Sequence, residues 1–124
     1  MQKTNPEDLI NIKVDNYIKN VKQYISSAYN GKVPEEYTSS LEMLETNYRI
    51  FLQSKSQIEK EGITIEDFRG ATKPHPCLLI QKDAMNMMLK ILTQFGMTSY
   101  SKSKLKHIKE EETDVNLLDS LLNS

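Results

Sequence analysis

From Ile10 onward, apolar residues recur at alternating spacings of four and three: Ile10, Val14, Tyr17, Val21, Tyr24 and Ala28, with Ile18 and Ile25 widening the stripe. This is one face of a helix, broad enough to pack against more than one neighbour. The pattern predicts that the helix begins at Thr4 or Asn5, with Pro6 in its first turn and Glu7 and Asp8 at the positive end of its dipole. It should stop near Asn30, with Gly31 as the terminator. A second helix restarts at Val33-Pro34 and Glu35-Glu36 and runs to Gly62. Its seam is Tyr37, Leu41, Leu44, Tyr48, Phe51, Lys55 and Ile58. Over about 27 residues this seam extends roughly 40 Å. The short connection 31–33 forces the two helices into an antiparallel hairpin. Lys55 either ends the packed part of the seam or snorkels to a neighbouring carboxylate.

Between Gly62 and His75 the periodicity lapses. Two glycines, Pro74 and the charged residues Glu66, Asp67, Arg69 and Lys73 read as an ordered loop, pinned to the hairpin by Ile63, Ile65 and Phe68. A third helix starts with Pro76 in its first turn and closes after Phe95, where Gly96 can take the left-handed conformation. It carries two apolar stripes: Ile80, Ala84, Met87, Ile91 and Phe95, and beside them Met85, Met88, Leu89 and Leu92. So wide an apolar arc exceeds what two short helices can cover. Three of the six methionines lie at 85, 87 and 88, where adaptable thioethers suit either a filled core or a subunit interface. Met85, Met88, Leu89 and Leu92 are therefore the candidates for oligomerisation.

Thr98 offers a hydroxyl cap for a short helix over 98–109 whose exposed side carries Lys102, Lys104, Lys106 and Lys109. A helix, a turn containing Gly and a second helix bearing lysines and small hydroxyls is compatible with a helix-turn-helix reading a groove. A Lys-rich helix end is more often a solvated face that complements the negative end of the dipole. In the first reading Lys102, Lys104, Lys106 and Lys109 bind DNA, with Arg69 and Lys73 from the loop as secondary contacts, and affinity falls steeply with salt. After Lys109 the composition inverts. Residues 110–114 are an acidic spacer, and Val115, Leu117, Leu118, Leu121 and Leu122 form a terminal apolar patch with helical spacing. Such a patch behind an acidic hinge either docks in a groove on another protein or folds back on its own body.

Composition sharpens this picture at three points. The 124 residues carry a formal net charge of -1, but five acids and no Lys or Arg fall in 110–124, so residues 1–109 are net positive. The organisation expected is a helical DNA-binding and oligomerisation domain over 1–109 and an acidic, apolar tail over 110–124. A single cysteine, Cys77, excludes an intramolecular disulfide and suits a reducing cytoplasm; beside Pro76 it reads as a small apolar residue. Neither a signal peptide nor an apolar run near the ~20 residues that span a bilayer is present, so the expectation is a soluble intracellular protein.

No catalytic constellation emerges. There is no glycine-rich phosphate loop, no metal-ligand spacing and no nucleophile with an evident base, while His75 and His107 read as a helix cap and a surface residue. No enzyme activity, cofactor or metal is expected.

The run 62–105 resembles the core motif of the small terminase subunits of tailed double-stranded DNA phages, in the family of short helical ones. That motif is Gly-hydrophobic-Thr-x-x-Asp-x-x-Gly, a basic spacer, Asn-Pro-Ala, an amphipathic helix, then Glu-Phe-Gly-Leu-Thr-Pro-Ser-Ser-Arg. Here the matching residues are Gly62-Ile63-Thr64-Ile65-Glu66-Asp67-Phe68-Arg69-Gly70, His75-Pro76-Cys77 and Gln94-Phe95-Gly96-Met97-Thr98-Ser99-Tyr100-Ser101-Lys102. His75 stands where the family has a capping Asn, and Ser99 where it has Pro, which weakens two helix-start signals.

The resemblance implies an all-α fold, an antiparallel helical hairpin with a third long helix and a short basic helix, assembling into a ring-like homo-oligomer. It implies recognition of viral double-stranded DNA for packaging initiation in the cytoplasm of the infected bacterial host. It also supplies a partner for Val115, Leu117, Leu118, Leu121 and Leu122, namely the large terminase subunit that holds the ATPase and nuclease. No membrane and no small-molecule substrate enter this reading. The alternatives are a dimeric helical DNA-binding regulator and a helical interaction module that does not bind DNA.

Overall fold

The computed structural model describes residues 5–97. Three helices, α1 (Pro6–Ala28), α2 (Thr38–Glu61) and α3 (Pro76–Gln94), are joined by a single 3₁₀ turn at Glu35–Tyr37 and by two short strands, β1 (Thr64–Glu66) and β2 (Thr72–Pro74). The chain divides into two compact units, Met1–Ile91 and Leu92–Ser124, and α3 runs across the division.

α1 starts as its sequence dictates. Asn5 is the cap, its side-chain oxygen accepting the Glu7 amide at 3.2 Å, with Pro6 following in the first turn. It ends two residues before Asn30. Asn30 is left-handed at φ 57°, and the Gly31 amide donates back to the Ser26 carbonyl at 2.8 Å. α1 and α2 then pair antiparallel. Val14, Ile18, Val21 and Ile25 of α1 are buried, as are Leu41, Leu44 and Leu52 of α2, with Val14, Val21 and Leu44 the most completely enclosed.

Along the seam Tyr17 stacks on Tyr48 with ring centroids 4.2 Å apart, and Tyr48 continues the stack to Phe51. Burial, and next to it the neighbouring Tyr48, raises the Tyr17 phenol above its ordinary value of 10.0. At the closed end Tyr29 and Tyr37 share a hydrogen bond of 2.8 Å between hydroxyls. Further along, the Arg49 guanidinium donates to Asn11 of α1 and pairs with Glu45 one turn away at 3.7 Å.

Three expectations need correction. Lys55 does not belong to the packed face. It is exposed, and Ser54, one position back, is buried. The segment 62–75 is not an irregular loop but an antiparallel β-hairpin, registered Thr64↔Pro74, Ile65↔Lys73 and Glu66↔Thr72, so the helical fold carries a two-stranded element. Nor is that segment pinned by its apolar residues. Ile65 is half-buried, while Ile63 is 65% and Phe68 92% exposed.

Candidate functional site

The hairpin is held by hydrogen bonds at its apex and at its base. At the apex, Asp67 Oδ1 accepts the amides of Arg69 at 2.8 Å and Ala71 at 2.9 Å, so its carboxylate is turned back into the turn. The Asp67 carbonyl accepts the Gly70 amide at 2.9 Å, and Gly70 is left-handed at φ 79°, a conformation the chain needs to re-enter β2. Phe68 and Arg69 are thereby thrown outward together. The Arg69 guanidinium lies 5.2 Å from the centroid of the Phe68 ring, a cation–π contact at the tip. Lys73 is exposed on β2.

At the base sits His75, 5% exposed and the cap of α3. Its Nδ1 accepts the Cys77 amide at 3.0 Å, its carbonyl accepts the Leu78 amide at 3.0 Å, and its own amide donates to the Ile63 carbonyl at 2.8 Å. Nε2 lies 2.9 Å from Glu61 Oε2 at the end of α2. Because Nδ1 is an acceptor, the proton of the neutral ring is on Nε2, which donates to Glu61. That hydrogen bond, and after it one from Gln57, holds the Glu61 carboxyl below its ordinary value of 4.5. One residue, through its ring and its backbone amide, thus ties the end of α2, the hairpin and the start of α3 together.

α3 continues the site with an unusual distribution of apolar residues. Ala84 and Ile91 are buried and Met88 is half-buried, so the inward face straddles the two predicted stripes rather than coinciding with either. At 100° per residue, Ile80 and Met87 then lie on one flank of that face and Met85 and Leu89 on the other, all four exposed. Leu79 is exposed as well. At the helix end Gly96 is left-handed at φ 72°, and the Met97 amide donates to the Leu92 carbonyl at 2.9 Å, which is the stop expected from the sequence.

The sequence candidates divide accordingly. Arg69 and Lys73 share the hairpin. Met85 and Leu89 share an exposed flank, while Met88 and Leu92 are half-buried. Lys102, Lys104, Lys106 and Lys109, and Val115, Leu117, Leu118, Leu121 and Leu122, lie outside the described residues.

Sequence reasoning missed the role of Phe68 as an exposed apex. The signal was there in the β-branched alternation Thr64-Ile65-Glu66, the turn residues Asp67 and Gly70, and the return Thr72-Lys73. Among the described residues no group of three His, Cys, Asp or Glu side chains could hold a metal, and no helix is long and apolar enough to cross a membrane.

A family model described as phage terminase, small subunit, matches residues 27–112, more than half of the chain. No curated protein and no solved structure gives a match. The matched span takes in α2, the hairpin, the His75 cap and α3, the segments that carry the motif read from the sequence. On that match the chain belongs to the phage terminase small-subunit family.

Proposed function

We propose that this protein recognises viral double-stranded DNA for packaging initiation, assembles as a ring, and recruits and regulates the large terminase subunit in the cytoplasm of the infected host cell. It contributes no catalysis itself. The observation that carries the reading is the family match over 27–112. Support for a ring in particular comes from α3, which leaves an apolar flank exposed on each side of its inward face. A two-fold dimer needs one self-complementary patch, whereas a head-to-tail ring needs two different ones on every subunit.

Within this reading Met85, Met88, Leu89 and Leu92 contribute to the subunit contact. Lys102, Lys104, Lys106 and Lys109, with Arg69 and Lys73, meet DNA phosphates. The tail 110–124, acidic and therefore repelled by DNA, presents Val115, Leu117, Leu118, Leu121 and Leu122 to the large subunit.

Three measurements on the full chain test the proposal. Native mass spectrometry should find a closed assembly of more than two copies; a dimer that binds one operator would favour a transcriptional regulator instead. Changing Lys102, Lys104 and Lys106 together to Glu should lower affinity for duplex DNA by orders of magnitude and flatten its salt dependence by about 0.9 for each lost phosphate contact. Deleting residues 115–124 should leave assembly and DNA affinity intact while abolishing co-purification with the large subunit. A truncated protein that no longer assembles would place the tail in the subunit's own core.

A further inference from the structure

The hairpin apex has a job that the family assignment does not supply. Phe68 is 92% exposed at the tip of the hairpin, and the segment that carries it is tightly built. The Asp67 carboxylate clamps the turn, the ladder from Thr64↔Pro74 to Glu66↔Thr72 stiffens the arms, and the His75–Ile63 hydrogen bond anchors the base to α3. The ring is presented on a rigid two-stranded ribbon with a guanidinium beside it.

The charges around it have a definite arrangement. Of the two acids in the hairpin, Asp67 is spent on the turn amides, and Glu66 lies on the opposite face of the ladder from Lys73, because side chains alternate along a strand. The tip therefore offers Phe68 and Arg69 to a partner, and Lys73 is exposed on the face that it shares with half-buried Ile65.

The DNA-binding reading above supplies the partner. An aromatic ring beside a guanidinium is chemistry that fits a base step next to a phosphate, and a two-stranded ribbon is a form that enters DNA grooves.

We propose that Phe68 is a wedge that inserts at a base step of duplex DNA, with Arg69 released from the ring to a phosphate and Lys73 on the backbone beside it. Such side chains partly unstack the step and kink the duplex, so the hairpin would help deform the DNA that the assembly engages. The inference rests on the DNA-binding reading above but assigns it a site distinct from the basic segment 98–109.

The protein contains no Trp, so a Phe68→Trp variant carries a single indole, at the apex, which can be excited apart from the six tyrosines. The probe is a fluorescein-labelled mixed-sequence duplex, titrated at low salt and across a salt series. Phe68→Ala should weaken binding roughly tenfold with an unchanged salt slope, since no charge is lost, while Arg69→Gln should lower the slope by about one. Phe68→Trp should keep wild-type affinity and be quenched by the unlabelled duplex as the indole stacks on bases.

Thermal midpoints should stay at the wild-type value in all three variants, because the substituted side chains are exposed. If the wild type binds the duplex while Phe68→Ala binds equally well and Phe68→Trp is not quenched, the wedge is wrong and the DNA-binding reading stands. If the wild type does not bind at low salt, the DNA-binding reading falls and the wedge with it. If Phe68→Ala changes the native mass of the assembly, the apex is a subunit contact and the proposal is overturned.

Discussion

His75 faces Glu61 across 2.9 Å, Nε2 to Oε2, from the first residue of the α3 cap to the last residue of α2. Its other ring nitrogen caps α3 through the Cys77 amide. With its own amide on the Ile63 carbonyl, His75 is bonded to α2, the β-hairpin and α3. Its neighbours lie within the matched family span.

Removing both ring hydrogen bonds by His75→Ala should destabilise the fold by about 1–3 kcal/mol, from loss of the cap and of a buried side chain's contacts. His75→Asn, which can still cap but is too short to reach Glu61, should fall between alanine and wild type. Thermal unfolding followed by circular dichroism reads both; an alanine variant as stable as wild type would show that the α2–α3 junction is fixed elsewhere.

The same pair predicts a pH dependence. The folded Glu61 carboxyl titrates below its ordinary value of 4.5, so its contribution to stability is fully present above about that pH. It is lost as pH falls through the lower, folded value. The stability difference between wild type and Glu61→Gln should accordingly shrink as pH falls through the carboxylate range. A difference that stays the same below the ordinary carboxylate range would remove Glu61 from the linkage.

Leu44 is fully enclosed between α1 and α2, so Leu44→Ala should cost about 2–5 kcal/mol through lost burial and the cavity left behind. Met43, its exposed neighbour on the same helix, is the control, and Met43→Ala should lie within about 0.5 kcal/mol of wild type. Equal losses at both positions, measured by urea unfolding, would mean that Met43 is covered in the assembled protein.

The two flanks of α3 can be separated by mutation. Met85→Glu with Leu89→Glu disrupts one, and Ile80→Glu with Met87→Glu the other. For a head-to-tail ring, either pair alone should give smaller species by native mass with helicity retained, and mixing the two variants should restore only a single contact and hence a dimer. If just one pair changes the mass, the assembly is built on one patch and is not a ring of this kind.

Much of this architecture was legible in the sequence because it is local. Asn5 and Pro6 start α1, Gly62 and Gly96 end α2 and α3, and the four-three spacing of Val14, Val21, Leu41 and Leu44 marks the faces that α1 and α2 bury, each depending only on residues within a turn or two. The motif residues 62–77 were legible too, although as a loop.

What the sequence could not decide was direction and depth. Phe68 looked like a pin because phenyl rings are usually buried, and only the turn built by Asp67 and Gly70 sends it into solvent. The two stripes of α3 were visible, but the line between them that is buried is a matter of tertiary packing, and the helix is joined to α2 by His75 and Glu61, fourteen positions apart. Periodicity defines the faces of a helix from its own residues. Which face is covered is settled by long-range contacts, and those exist only once the chain has folded.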